Sequence, residues 1–264
     1  MLRVEDLSFA YETIEGEYTV FKNISFTVQD NEFFCIIGPS GCGKSTLLKV
    51  LAGFESPSNG KVFENEQPIS GVSYERAMVF QEDAVFPWLT VKKNIEYGLS
   101  ARKIAKEIKE KRVDEYLELV GLRGFENAYP RQLSGGMRKR VDLARVLAND
   151  PRILLMDEPF GALDAMTKED LQIKLIEIWE KSKKTVIFIT HDIEEALFLG
   201  DRVAVMHHIN RGGEFKIFDV PFRRPRELYL KEEVDFQRMR RNLVEEFRKS
   251  DGKNNISSQE VLRL

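Results

Sequence analysis

Glu32-Phe33-Phe34-Cys35-Ile36-Ile37-Gly38-Pro39-Ser40-Gly41-Cys42-Gly43-Lys44-Ser45-Thr46 is the stretch on which the fold turns. It opens as a short apolar run ending in glycine, the pattern of a buried strand entering a turn. Lys44–Ala52 then reads as a helix stopped by Gly53. Between strand and helix, Gly38–Thr46 fits the phosphate-loop spacing in the context that spacing requires. Its glycines let successive backbone N–H groups turn inward around phosphate oxygens. Lys44 brings a mobile positive charge to the β- and γ-phosphates, and the Ser45 hydroxyl is placed to ligate Mg²⁺.

Further along, the run Ile153-Leu154-Leu155-Met156-Asp157-Glu158 is an apolar strand that delivers two carboxylates at its C-terminal end. That is the end at which α/β sheets hold their ligands. Phosphoryl chemistry uses two different carboxylates, one toward the metal and one that polarises the attacking water. Neighbouring strand residues face opposite ways, so Asp157 and Glu158 can divide those tasks. His191 follows the apolar strand Val186–Thr190 and precedes Asp192, on the same rim. An imidazole there can bond a γ-phosphate and the water that attacks it. His207 and His208 lack such a setting and read as surface residues. Gln81 closes the expected strand Ala77–Gln81, where its amide can touch both Mg²⁺ and water. The loop behind it, Glu82–Leu89, groups Phe86, Pro87 and Trp88, either as packing between subdomains or as the apolar edge of a groove for a partner helix.

A second anion-seeking element needs its own explanation. Ser134-Gly135-Gly136 opens a helix whose apolar residues Met137, Val141, Ala144 and Ala148 recur at helical spacing. A hydroxyl, two glycines and a helix N-terminus together favour an anion. One phosphate cradle is already complete in this chain, so the simplest account is that this element closes on the nucleotide of a second subunit.

Strands return at Ile153–Asp157, Thr185–Thr190 and Arg202–Met206, with a helix from Thr167 to Ser182 between the first two. That succession implies parallel pairing and an α/β layered core. The first thirty residues read instead as an antiparallel pair, Arg3–Tyr11 with Tyr18–Val28, and a polar stretch precedes Ala77. The charged block from about 89 to 148 reads as a helical insertion, with Ile104, Ile108, Leu117 and Val120 as its thin apolar set. Lys231–Lys249 is an amphipathic helix with Phe236, Met239, Leu243 and Phe247 on one stripe, expected to pack on the chain's own core. Ser250–Gln259 is polar and expected to be mobile.

The 264 residues suffice for a substantial core, and the net charge of −3 gives no global basic field for nucleic acid. Neither a signal-peptide pattern nor an 18-residue apolar span is visible. Cys35 and Cys42 are too few for a disulfide framework and read as reduced, space-filling thiols.

In this order, these residues resemble the nucleotide-binding subunit of ATP-binding-cassette (ABC) transporters, over about residues 1 to 215. The resemblance implies an α/β P-loop NTPase: a RecA-like parallel sheet core, an antiparallel N-terminal β subdomain and an inserted helical subdomain. It implies an ATPase domain over 1–230, followed by a helix and tail over 231–264. Gly38, Pro39, Ser40, Gly41, Cys42, Gly43, Lys44, Ser45 and Thr46 would be the Walker A loop and Gln81 the Q-loop residue. Leu133–Met137 would be the signature, Ile153–Glu158 the Walker B strand, Gly161–Asp164 the D-loop and His191 the switch histidine. Glu158 would be the general base, with Lys44, Gln81 and His191 in catalysis. Ser45, Gln81 and Asp157 would hold Mg²⁺. ATP would also meet Ser134, Gly135, Gly136 and Asp164, and its adenine would stack on Tyr11, with Tyr18 as the alternative. A homodimer sandwiching two ATP, separate integral-membrane permease subunits and a solute-binding protein are implied, at the cytoplasmic face of the inner membrane.

The phrases Ser-Gly-Gly-Met-Arg, Asp-Glu-Pro-Phe-Gly-Ala-Leu-Asp-Ala-Met-Thr and Thr-His-Asp-Ile-Glu-Glu-Ala look like those of importers of nitrate, sulfonates and taurine. The chain departs from that pattern at Lys139, where glutamine is commoner, and at Gly212-Gly213; neither departure is expected to touch the phosphate chemistry. The rival readings are an ABC ATPase of another transport class and a non-transport ABC ATPase.

Overall fold

The alternation of apolar side chains in four short strands explains the layering. The computed structural model describes residues 1–14, 16–82, 84–161, 163–208 and 214–250. In β3 (Phe33–Ile37), Phe33, Cys35 and Ile37 face one apolar cluster while Phe34 and Ile36 face another. β7 (Ile153–Asp157), β8 (Thr185–Ile189) and β9 (Arg202–Met206) divide their residues in the same way. A parallel sheet covered on both faces has to read as continuous apolar runs, which is what these strands show. With β6 (Arg76–Val79) and the antiparallel edge strand β10 (Phe215–Asp219) the order is β10-β9-β3-β8-β7-β6.

One face is covered by α1 (Lys44–Ala52) and by a four-stranded antiparallel sheet. That sheet is ordered β2-β1-β4-β5, from β1 (Leu2–Thr13), β2 (Gly16–Val28), β4 (Asn59–Glu64) and β5 (Gln67–Pro68). The sequence reading left β4 and β5 as a polar stretch. The reason is physical: of β4 only Val62 is buried, and β5 is two residues long at the sheet edge. The other face carries α5 (Ala165–Ser182), α6 (Ile193–Leu199) and α7 (Val234–Ser250). Phe236 and Leu243 of α7 are buried in that core, and Met239 and Phe247 pack against it. The short α6 is capped by Asp192, which accepts from Glu194 N and Glu195 N. Its C-terminal end is closed by the buried Arg226, which donates to the carbonyls of Leu197, Phe198 and Gly200.

The charged block forms α2 (Val91–Ala101), α3 (Lys106–Leu119) and α4 (Gly135–Ala148) around a third apolar cluster of its own. Val141, Ala144 and Ala148 lie in it, with Met137 against it. Ile108 does not: it is exposed, and Val113 takes the buried position on α3. His207, expected at the surface, is 5% exposed, with Glu246 of α7 3.5 Å away. Both cysteines are buried free thiols. Among the described residues no helix is long and apolar enough to cross a membrane. The Gly212-Gly213 segment, residues 251–259 of the expected mobile tail and Ala162 of the Gly161–Asp164 turn lie outside the described residues.

Candidate nucleotide site

Register brings the chemistry to one rim. Ile36 pairs with Ile189 and Ile189 with Asp157, so the ends of β3, β8 and β7 form one row. Met156 pairs with Val79 of β6 on the far side. The residues just past that row are Gly38, His191, Glu158 and Gln81. They come from four segments spread over more than 150 positions of sequence, yet all stand at the C-terminal edge of one sheet, where such folds bind ligands. Gln81 lies two residues beyond Val79 in an exposed bend rather than closing the strand.

Gly38–Thr46 wraps the N-terminus of α1. A Cβ on Gly38 would stand 2.2 Å from the Met206 carbonyl oxygen, and Gly43 sits at φ 102°. Both positions therefore exclude other residues, and the loop's curvature follows. The Lys44 ammonium is buried and donates to the carbonyls of Gly38 (2.7 Å) and Pro39 (2.9 Å), which holds it within the loop. Val20 and Phe21 of β2 press on Gly43. Two residues upstream, Tyr18 pairs directly with Tyr11. Both tyrosines are exposed, and Tyr11 is braced edge-on by Phe9 at 4.9 Å.

Asp157 is buried and accepts from the Ser45 hydroxyl, while its Oδ1 has no hydrogen-bond partner. Burial pushes its carboxyl up; the Ser45 hydrogen bond pulls it down, Glu158 pushes it up again, and the Lys44 and Lys139 ammonium groups pull it down, with burial prevailing. A buried carboxylate oxygen without a partner is costly, and it fits a cation's inner or outer ligand sphere. Among the described residues no three acidic, histidine or cysteine side chains gather as a cage.

Glu158 follows at φ 43°, a sparsely populated region for a side-chain-bearing residue. Its N–H donates to Ile189 O and its carbonyl accepts from Gly161 N. The kink turns its Oε2 to 3.0 Å from His191 Nδ1. A carboxylate only accepts, so this contact puts the donor on His191 Nδ1. Behind His191, Asp192 receives Lys168 of α5 at 2.9 Å, and Lys168 also reaches Glu195 at 3.3 Å. Burial raises the Asp192 carboxyl, but Lys168 and two backbone N–H groups outweigh it and the net shift is downward.

Ser134 caps α4, accepting from Met137 N at 3.2 Å. Leu163, beside Asp164, packs on the bare Cα of Gly136. Asp164 itself caps α5 through Thr167 N at 3.0 Å. The aromatic loop forms one exposed cluster, with Phe86 5.6 Å from Trp88 and 4.5 Å from Tyr97. Trp88 is 70% exposed.

Sequence reasoning missed one buried polar residue and noted another only as a departure from a family pattern. Buried Asn94 bonds Phe86 N and the carbonyls of Phe86, Leu89 and Thr90. A signal was available, since Asn94 sits between Val91 and Ile95 on the apolar face of α2. Lys139, expected to lie apart from the phosphate chemistry, is buried and donates to the carbonyls of Phe80 and Gln81.

A glycine loop between strand and helix, a hydroxyl–aspartate pair beside it and a glutamate–histidine pair on the same rim define a P-loop nucleotide-binding protein. The model of the ABC transporter family matches residues 21–161. The chain is 46% identical to the bicarbonate transport ATP-binding protein CmpD of Synechocystis, over 86% of this chain and 81% of that protein. It is 46% identical to the taurine import ATP-binding protein TauB of Pelagibacter ubique, over 83% and 82%. A dimeric ATP-binding cassette in a post-hydrolysis state, bound to ADP and Pi, superposes with a TM-score of 0.76 at 31% identity, covering 84% of this chain and all of that one. The chain belongs to the ABC transporter family, as an ATP-binding, ATP-hydrolysing subunit.

Proposed function

We propose that this chain works as a homodimer that drives import of a small anion such as nitrate, a sulfonate or taurine. It would do so through separate integral-membrane permease subunits fed by a solute-binding protein, at the cytoplasmic face of the inner membrane. The dimeric structural relative supports the assembly, and the names of the bicarbonate and taurine relatives support the ligand class. The division of labour is an ATPase domain over residues 1–230, with 231–264 appended to it. Nucleic acid is not among the partners.

The Glu158–His191 pair carries the reading of the chemistry, because it places a carboxylate and an imidazole together on the rim beside the phosphate loop. The backbone of Gly38, Pro39, Ser40, Gly41, Cys42, Gly43 and Thr46 wraps the phosphates, and Lys44 exchanges its loop carbonyls for phosphate oxygens. Tyr11 offers its ring to the adenine, with Tyr18 beside it. Ser45, Gln81 and Asp157 would hold Mg²⁺, which neutralises charge on the phosphates when bound. Glu158 accepts the proton of the attacking water, and His191 holds that carboxylate in place. Ser134, Gly135, Gly136 and Asp164 act on the nucleotide held by the partner subunit. The N-terminus of α4 then supplies the anion site that a single subunit leaves unexplained.

The test is Glu158→Gln. Loss of a general base is expected to lower ATP turnover by about 10²–10⁴-fold, with ATP affinity unchanged by calorimetry and a stable ATP-dependent dimer in size-exclusion chromatography. A variant that still hydrolyses ATP at the wild-type rate removes Glu158 from the base role.

A further inference from the structure

The Phe80 ring packs against Phe54 and the sheet-side core, but the hydrogen bonds described from other side chains to the backbone of the segment between β6 and α2 come from the helical block. At its start, Lys139 of α4 donates to the carbonyls of Phe80 and Gln81. Asp142, three residues further along α4 and so on the same face, accepts from Ala84 N. At its end, Asn94 of α2 holds Phe86 and Leu89. The parallel sheet's own ladder stops at Val79. The seam between sheet and helical block therefore falls at Phe80–Gln81, and Lys139, 2% exposed, sits on it.

A buried ammonium is costly unless its donors are used, and here two of three go to consecutive backbone carbonyls. The direction of both peptide units beside Gln81 is thereby fixed to α4, whose N-cap is Ser134. We infer that Lys139 is a positioning residue for hydrolysis: it locks the Gln81 backbone to α4, so that the setting of the Ser134-capped helix decides whether Gln81 addresses the phosphate site. This rests on the reading of Gln81 as a residue of the ATP site. Glutamine in the same position keeps N–H donors for those carbonyls but not the charge, whereas methionine keeps the volume and loses both.

The experiment compares the full chain with Lys139→Met and Lys139→Gln. It measures steady-state phosphate release with Mg-ATP and acrylamide quenching of Trp88, which is exposed while Trp179 is buried. Lys139→Met is expected to lose about tenfold in kcat with KM for ATP within about twofold, the mark of a group that acts in the transition state rather than in binding. The ATP-dependent change in Trp88 quenching should vanish with it. Lys139→Gln is expected to stay within about threefold of wild-type kcat, since the donors that set geometry remain, and to keep the Trp88 response. Wild-type turnover in Lys139→Met overturns the inference, as does an equal, deep loss in both variants. Should Lys139→Met fail to fold, a Lys139→Gln chain that no longer changes its Trp88 quenching on adding ATP overturns it. Turnover that survives Glu158→Gln instead overturns the ATP-site assignment, so the two failures are distinguishable.

Discussion

The sheet rim and the helical block both carry residues assigned to the nucleotide, but they hold them differently. On the rim, Gly38, Glu158 and His191 stand at the ends of strands buried on both faces, and their placement is fixed by ladder register. In the block, Ser134 stands at the head of a helix that packs on a separate apolar cluster through Val141, Ala144 and Ala148 and on the sheet's cluster through Leu143, Val146 and Leu147. Toward the sheet, the block shows polar ties, Lys139 to two carbonyls and Asp142 to Ala84, beside an apolar seam in which Leu143, Val146 and Leu147 of α4 enter the sheet's own cluster. The apolar seam of α4 is close-packed like the core it joins, whereas the directed hydrogen bonds beside it are kept or broken as units. The comparison teaches that one half of the candidate site is set by sheet register and the other by a block that has a core of its own but shares α4 with the core of the sheet.

The largest blow to one side of this contrast is Phe188→Ala, which removes a fully buried ring where three aromatics meet. It should cost about 3–5 kcal/mol and raise hydrogen exchange across β3, β7, β8 and β9. On the other side, Leu117→Ala in the third cluster should cost about 2–4 kcal/mol. Its exchange increase should stay within α2, α3 and α4; spreading to β3 would show that the block has no independent core. Asn94→Leu keeps the volume but strips four hydrogen bonds, and about 1–3 kcal/mol is expected from the stranded backbone groups. Its local signature is faster exchange at Phe86 N without change in the sheet.

The smallest effect concerns the far end of the core. Burial holds the His207 imidazole below its ordinary value. Glu246 and Glu214 pull it up, Lys216 and Lys249 push it down, and burial prevails. With the folded value depressed, the unfolded chain binds the proton first. Stability is therefore lost as pH falls below the free-histidine value of about 6.5. His207→Gln should flatten the fall in Tm between neutral and mildly acid pH, and an unchanged slope would mean that the paired carboxylates set it instead.

Much of this was legible in the residues. α1 runs Lys44–Ala52 with Gly53 in the left-handed conformation, as the helix-stop signal predicts. The alternation-free strands of the parallel sheet announced burial on both faces. Illegible features were those in which a polar residue serves a distant backbone. Lys139 stood out only as a departure from a pattern, Asn94 only as an interruption of an apolar face, and His207 as one of two adjacent imidazoles without context. The inner strand β4 and the edge strands β5 and β10 were missed because they bury too little to impose a period.

What the sequence determines by itself is whatever depends on neighbours in the chain: the phosphate loop, the strand ends that carry carboxylates, the helix caps and the buried runs. Local sterics and hydrophobic periodicity act within a few residues and leave direct marks in the text. Tertiary structure alone decided the row that joins Ile36, Ile189 and Asp157, the 3.0 Å approach of His191 to Glu158 and the reach of Lys139 to Gln81. Those depend on strand order and on the docking of a separately packed block, and pairing across 33 or 58 positions of chain follows from no local period.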